Sequence, residues 1–249
     1  MRIAVFGASG RVGTKLVELV LANPGLDLVA ALVSPGSRLV GSPVAGGSLE
    51  YRPAEAAMNT HSDVMIDFST PSASLALQED VGTKPIPMVI GTTGFSPEEQ
   101  ERLIEWSTHR PLLVSANFAR GFEAFRLGAV EFAGRMPDAE ASVGEIYHAR
   151  KKNEPSGTSR LLARDLFEKR SRAMGFAAPE PPVSVRREGD TVGVNEVRFD
   201  MGSAELVMTY RVHALAAYAE GALAVAQWLV SRNGGPGLYS LADSLAGKG

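Results

Sequence analysis

Arg2-Ile-Ala-Val-Phe6 runs directly into Gly7-Ala-Ser-Gly10-Arg-Val-Gly13 and on into the helix-forming stretch Thr14–Leu21. An apolar strand that breaks into three spaced glycines and continues as a helix is the layout of a dinucleotide phosphate site. The chain turns sharply, the first helical N–H groups face a pyrophosphate, and side chains at the glycine positions would block its approach. Glycines at this spacing also serve tight turns in unrelated α/β proteins, so the strand before and the helix after carry the argument. Gly7, Ser9, Gly10, Arg11, Val12 and Gly13 are the expected phosphate-side contacts.

Outward from that turn, short apolar runs alternate with helix-like segments. Leu28–Val33, Val64–Phe68, Pro87–Ile90 and Leu112–Ser115 read as strands, Ser72–Asp80 and Pro97–His109 as helices. Apolar strands separated by helices form a parallel sheet covered on both faces, so the expected fold class is α/β, a Rossmann-type doubly wound sheet. Beyond Asn117 the pattern changes. Gly121–Arg135 reads as a long helix, and Ser142–His148, Val183–Arg187, Asn195–Met201 and Ala204–Arg211 as strands with few helices between them. Glu196, Arg198 and Asp200 alternate with Val197, Phe199 and Met201, the period of a half-exposed sheet, so a second, α+β domain follows. Pro-rich Ala177–Pro182 is a connecting loop. The apolar stretch Val212–Val230 either finishes the second domain or returns to the first. After Ser231, Gly234–Gly237 reads as a loop and Leu238–Leu245 as a short closing helix.

The 249 residues, 45% hydrophobic, suffice for a well-buried core. Twenty-five basic against 28 acidic residues leave a net charge of −3, which offers no global field for nucleic acid or an anionic membrane. The absence of cysteine excludes disulfides, thiolate catalysis and cysteine-ligated metal centres. His61, His109, His148 and His213 lack ligand spacing, so no metal is expected. Val212–Val230 carries His213, Glu220 and Gln227, polar groups costly in a bilayer, and the N-terminus lacks a signal-peptide layout. The expected location is cytoplasmic, with no membrane partner.

Cofactor choice is set after the second strand, where a carboxylate accepts both ribose hydroxyls of NAD. Here the strand ends Ala31-Leu-Val33-Ser34-Pro-Gly-Ser37-Arg38 with no carboxylate at hand. Ser34, Ser37 and Arg38, with Arg11, can instead hold a 2′-phosphate; a solvated turn is the competing reading. NADPH is the expected cofactor, with NADH as the alternative. A second chemical cluster is Glu145-Ile-Tyr147-His148-Ala-Arg150-Lys151-Lys152-Asn-Glu-Pro155-Ser156-Gly157-Thr158. A strand ends at His148, cations follow, and Pro-Ser-Gly-Thr opens a helix. The helix-start N–H groups, the Ser156 and Thr158 hydroxyls and the ammonium groups can clamp a carboxylate, and Lys151 can donate a proton. Simple helix capping by Ser156 or Thr158 beside a solvated basic turn is the competing reading.

Taken in order, Gly7–Gly13, Ile66-Asp-Phe-Ser-Thr-Pro71, Gly91-Thr-Thr-Gly94-Phe, Ala116-Asn-Phe118, the His148–Thr158 loop and Glu220-Gly-Ala-Leu-Ala-Val-Ala-Gln-Trp228 resemble the dihydrodipicolinate reductases of lysine and diaminopimelate biosynthesis. The resemblance covers essentially the whole chain. It implies NAD(P)H-dependent reduction of a small cyclic imine or enamine dicarboxylic acid, 4-hydroxy-tetrahydrodipicolinate to tetrahydrodipicolinate. It implies a dinucleotide-binding domain of residues 1–118 plus 214–249 and a substrate-binding domain of residues 119–213, whose mixed sheet associates the subunits of a homotetramer. It also implies that Phe68, Ser69, Gly91, Thr92, Thr93, Asn117 and Phe118 line the nicotinamide side. His148, Ser156, Gly157 and Thr158 would bind substrate, and Lys151, His148 and Tyr147 would supply the proton.

The chain departs from the family pattern at informative positions. The family reads Glu-x-x-His-His-x-x-Lys, and here Tyr147 stands at the first histidine, a weaker proton source with an ordinary pKa of about 10. Thr209-Tyr-Arg-Val-His-Ala-Leu215 ends in leucine where the family carries an arginine, and Gly193-Val-Asn195-Glu-Val197 replaces Gly-x-His-x-Val. Two alternatives follow: a reductase or dehydrogenase for another imino or amino acid on the same scaffold, or a nucleotide-binding regulator that has lost its acid. Retained Lys151, Ser156, Gly157 and Thr158 argue against the regulator.

Overall fold

The structure, a computed structural model, describes residues 1–232 and 234–246. In chain order the elements are β1 (Arg2–Phe6), α1 (Arg11–Leu21), β2 (Asp27–Val33), β3 (Tyr51–Pro53), β4 (Val64–Asp67), α2 (Pro71–Val81), β5 (Met88–Ile90), α3 (Pro97–Ser107), β6 (Pro111–Val114), α4 (Phe122–Arg135), β7 (Glu140–Tyr147), α5 (Gly157–Met174), β8 (Val183–Arg187), β9 (Gly193–Asp200), β10 (Glu205–Val212), α6 (Ala216–Ser231), β11 (Gly237–Tyr239) and α7 (Leu241–Ala246). They fall into two compact units, Met1–Ala119 with Leu215–Gly249, and Arg120–Ala214.

The first unit is a seven-stranded sheet in the order β11-β6-β5-β4-β1-β2-β3. Every pairing is parallel. The apolar runs that predict this sheet bury both of their faces. Ile3 and Val5 pack in one core with Leu16 and Val20 of α1 and Val225 and Leu229 of α6. Ala4 and Phe6 pack in the other with Leu75 and Leu77 of α2 and Leu103 of α3. Alternate residues of one strand therefore feed two cores, which is why β1 has no polar face after Arg2. Helix α3 begins at a capping box: Ser96 Oγ accepts the Glu99 N–H at 3.2 Å, and the Ser96 N–H donates to Glu99 Oε2 at 2.8 Å.

The second unit is a four-stranded mixed sheet in the order β10-β9-β7-β8. β9 is antiparallel to both of its neighbours, and β7 and β8 are parallel. Helices α4 and α5 cover one face through Phe122, Ala129, Leu162 and Leu166, which meet Val143, Val197 and Phe199.

Two local readings change. The apolar stretch at Val212–Val230 divides: Val212 ends β10, and the helix, starting at Ala216, belongs to the first unit. Gly237–Tyr239, read as loop and helix start, is a strand that pairs with β6 at Pro111–Leu113, and the closing helix begins at Leu241. Three residues beginning with glycine carry no periodicity, so only the partner strand defines them.

Candidate active site

In the first unit the glycine turn is fixed by main-chain geometry. Gly7 has φ +74°, and a Cβ there would lie 2.5 Å from the Phe68 carbonyl oxygen. A Cβ on Gly13 would lie 2.1 Å from the Gly7 carbonyl oxygen. Gly10, in extended conformation, is the N-cap of α1 and offers no side chain to cap it. Its carbonyl accepts the first helical bond, from the Thr14 N–H at 2.9 Å, so the Val12 and Gly13 amides precede the helix's own ladder. These are the features an incoming pyrophosphate requires.

The ends of β4 and β5 complete this site. A cleft of about 330 Å³ is lined by Arg11, Val12, Phe68, Ser69, Gly91, Thr92, Thr93 and Leu215. Gly91 is obligatory there, since a Cβ would come within 2.2 Å of the Phe68 ring. The Phe68 ring in turn meets Phe118 edge-on, with centroids 5.8 Å apart. Asp67, fully buried, accepts the Ser69 N–H at 2.8 Å and the Thr92 hydroxyl at 3.2 Å, fixing two residues of the lining. Burial pushes its carboxyl up from the usual range despite those bonds. Asn117 is 2% exposed; its Oδ1 accepts the Ala119 N–H at 2.9 Å, while its Nδ2 has no hydrogen-bond partner among the described residues. A buried amide donor left over fits a group that brings an acceptor of its own, such as the carboxamide of a nicotinamide dinucleotide. Ser34 and Arg38 lie in the exposed turn after β2, outside the cleft lining.

In the second unit the Glu145–Thr158 segment folds back on itself. On β7 the residues Ala141, Val143, Glu145 and Tyr147 share the buried face, so strand parity draws a carboxylate and a phenol inward. Antiparallel register sets Asn195 opposite Glu145, and parallel register sets Arg187 opposite Tyr147. Glu145 Oε2 accepts the Ser156 N–H at 2.9 Å and the Ser159 hydroxyl at 2.5 Å, while Oε1 takes Arg187 Nη2 at 2.9 Å. Asn195 Nδ2 donates to Ser159 Oγ at 3.1 Å, and the Tyr147 hydroxyl donates to Asn195 Oδ1 at 3.3 Å. Burial alone would push the Glu145 carboxyl up; the bonds from Ser156, Ser159 and Arg187 outweigh it and hold the carboxyl below its usual range.

Of the sequence-predicted residues, Ser156 caps α5, its Oγ accepting the Ser159 N–H at 3.2 Å. Gly157 and Thr158 open that helix, and Tyr147, His148, Ser156 and Thr158 are buried. The Lys151 N–H closes a turn onto the His148 carbonyl at 3.0 Å, and Lys151 Nζ lies 4.7 Å from the Tyr147 ring centroid. Sequence reasoning missed Glu145, Ser159, Asn195 and Arg187 as site residues. Glu145 and Asn195 had a signal, a polar group at the core parity of a strand; Arg187 had none, because its role depends on the register of β8.

The model of the dihydrodipicolinate reductase N-terminus matches residues 1–118, and that of the dihydrodipicolinate reductase C-terminus matches residues 123–245. The 4-hydroxy-tetrahydrodipicolinate reductase of Methanocorpusculum labreanum is 30% identical over 253 residues, 98% of this chain and 99% of that protein. The protein of the same name from Thermomicrobium roseum is 32% identical over 263 residues, 98% of each chain. In fold, the chain is similar to the dipicolinate-bound dihydrodipicolinate reductase from Paenisporosarcina sp. TG-14, with a TM-score of 0.73 and 20% identity across 96% of this chain and 97% of that one. With both halves matched by the family's models and relatives aligned end to end, the chain belongs to the dihydrodipicolinate reductase family.

Proposed function

We propose that the protein reduces 4-hydroxy-tetrahydrodipicolinate to tetrahydrodipicolinate with NADPH, in the cytoplasm and as a homotetramer. The family is one of oxidoreductases acting on a C=N or C=C bond. The observation that carries the reading is the folding of the His148–Thr158 segment onto the start of α5, bringing Lys151 beside Tyr147 in a chain that also keeps the bare α1 N-terminus. Gly7, Ser9, Gly10, Arg11, Val12 and Gly13 would hold the pyrophosphate. Phe68, Ser69, Gly91, Thr92, Thr93, Asn117 and Phe118 would hold the nicotinamide, and Ser34 and Arg38 the 2′-phosphate. The cofactor, when bound, supplies the hydride.

The remaining work belongs to the chain. Residues 119–213 would form the substrate domain and residues 1–118 with 214–249 the nucleotide domain. The Gly157 and Thr158 amides, the Thr158 hydroxyl and His148 would fix a substrate carboxylate. Ser156 serves that grip indirectly, because its own N–H and hydroxyl are committed to Glu145 and Ser159. Loss of the 4-hydroxyl with a neighbouring ring proton, as water, leaves a C=C bond; one of its carbons takes the hydride and the other a proton, with Lys151 as the principal proton donor, assisted by His148, and the Tyr147 ring beside the Lys151 ammonium.

A second reading, reduction of a different imino acid, is favoured by Tyr147 and by Leu215, which lines the cofactor cleft where the family pattern has arginine. One experiment separates the two. NADPH and NADH oxidation is followed with freshly made 4-hydroxy-tetrahydrodipicolinate and with a panel of cyclic and acyclic imino acids, and light scattering gives the assembly. Highest kcat/KM on the first substrate with NADPH is expected. Turnover confined to another imine would establish the second reading.

A further inference from the structure

Two cations approach one ring in the second unit. Lys151 Nζ is 4.7 Å from the Tyr147 ring centroid, and the Arg187 guanidinium carbon is 5.9 Å from it. We propose that Tyr147 is a positioning residue whose ring face, rather than its hydroxyl, serves the reaction by seating the Lys151 ammonium. The inference rests on the assignment of Lys151 as proton donor made above, and it changes what this position does relative to the histidine of the family pattern.

Three observations support it. The phenolic hydroxyl is occupied within the protein, donating to Asn195 Oδ1 at 3.3 Å on a residue only 7% exposed. Burial further raises its pKa, which makes it a poorer acid than an ordinary tyrosine. The main chain around Lys151 is held on both sides. Before it, Tyr147 ends β7 and the Lys151 N–H closes onto the His148 carbonyl. After it, Arg187 Nη2 donates to the Lys152 carbonyl at 2.6 Å and the Glu154 carbonyl at 2.8 Å, with Nε also on Lys152 at 2.9 Å. Arg187 is itself anchored on buried Glu145.

With the backbone fixed, the remaining freedom is the long lysine side chain, which loses rotamer entropy whenever it is held in one place. A cation over an aromatic face offsets that loss. A phenyl ring does this as well as a phenol, and an aliphatic side chain does not.

The test compares Tyr147→Phe, Tyr147→Leu and Lys151→Ala in the full-length enzyme, with kcat, KM for each substrate and thermal melting measured together. Tyr147→Phe is expected to keep kcat within about twofold. Tyr147→Leu should lower kcat about tenfold, inside the roughly 2- to 30-fold that a cation–π contact spans, with KM for the cofactor unchanged. An activity-independent readout comes from reductive methylation with ¹³C-formaldehyde, the Lys151 dimethylamino resonance being assigned by its disappearance in Lys151→Arg. That resonance should be shifted upfield by the ring in the wild type and Tyr147→Phe and should return to the position of solvent-exposed lysines in Tyr147→Leu. An unshifted Lys151 resonance in the wild type overturns the proposal even if Tyr147→Leu fails to fold. A Tyr147→Phe loss as deep as that of Lys151→Ala also overturns it, because the hydroxyl would then carry the proton. A shifted resonance in a protein that reduces no imine would support the seating of Lys151 and defeat the proposed activity instead.

Discussion

Gly10 separates the folding of the glycine turn from its use. Gly7 and Gly13 are required by the fold itself, since a Cβ at either would strike main-chain atoms at 2.5 and 2.1 Å. At Gly10 the nearest atom to a Cβ is the Gly7 carbonyl oxygen at 3.0 Å, a contact relieved by a shift of a few tenths of an ångström. Its φ of −72° and ψ of 169° are those an N-cap residue adopts, and α1 has no side-chain cap. Aspartate is among the preferred N-caps. Gly10→Asp is therefore expected to fold with a melting temperature close to that of the wild type, while its carboxylate occupies the position a phosphate needs and repels it. Isothermal titration should show loss of dinucleotide binding; a folded Gly10→Asp variant that binds as tightly as the wild type would refute the phosphate site.

The junction of β7 with α5 is where element-scale electrostatics are concentrated. Glu145 brings a charge into the interior, and its worth depends on the donors around it. Its folded carboxyl lies below the usual value, so its contribution to stability is fully present above the unfolded carboxylate pKa, about 4.5, and is lost as pH falls through the lower folded value. Glu145→Gln should lower stability at neutral pH, because Arg187 loses its buried counter-ion, by about 3–5 kcal/mol. The same variant should show a flatter acid limb below about pH 4.5. Chemical denaturation at pH 7 and pH 4 measures both; an acid limb as steep as the wild type's would place the titrating group elsewhere. The elements of this junction were legible: a strand over Ser142–His148, which the structure gives as Glu140–Tyr147, the Pro-Ser-Gly-Thr start of α5 and the exact span of β8 can all be read along the chain. The pairing that makes a site of them was not, since Glu145–Asn195 and Tyr147–Arg187 are neighbours only once strand register is set. The cleft at the ends of β4 and β5 was legible through the family resemblance, which names Phe68, Ser69 and Gly91–Thr93, and the structure gathers these residues around one cleft; Asp67 could be read only as structural. β3 and β11 escaped notice because each has three residues, and proline or glycine interrupts them.

At the scale of the whole molecule the two units differ in how the chain builds them. The second is continuous, Arg120–Ala214, whereas the first is closed by residues from the far end of the chain, beginning at Leu215. The dependence is deep. Ala219, Ala222, Val225, Ala226 and Leu229 of α6 are buried in the same core as Ile3 and Val5, and α6 comes so near Phe118 at Gly221 that a Cβ there would lie 1.6 Å from the Phe118 carbonyl oxygen. β11 in turn covers the edge of β6, which would otherwise stand open to association. Burial of Val225 and Leu229 alone contributes about 3–6 kcal/mol, against the roughly 5–15 kcal/mol that a domain has in total. A chain ending at Ala214 is therefore expected to lose the first unit and keep the second one, whose core of Phe122, Val143, Leu162, Leu166, Val197 and Phe199 draws nothing from the deleted segment. Limited proteolysis with mass spectrometry should recover a resistant fragment spanning residues 120–214 while residues 1–119 are digested, and titration should detect no dinucleotide binding. Dinucleotide binding by the truncated chain at full-length affinity would show that α6 and β11 are dispensable to the sheet, and the dependence of the first unit on the C-terminal segment would fail.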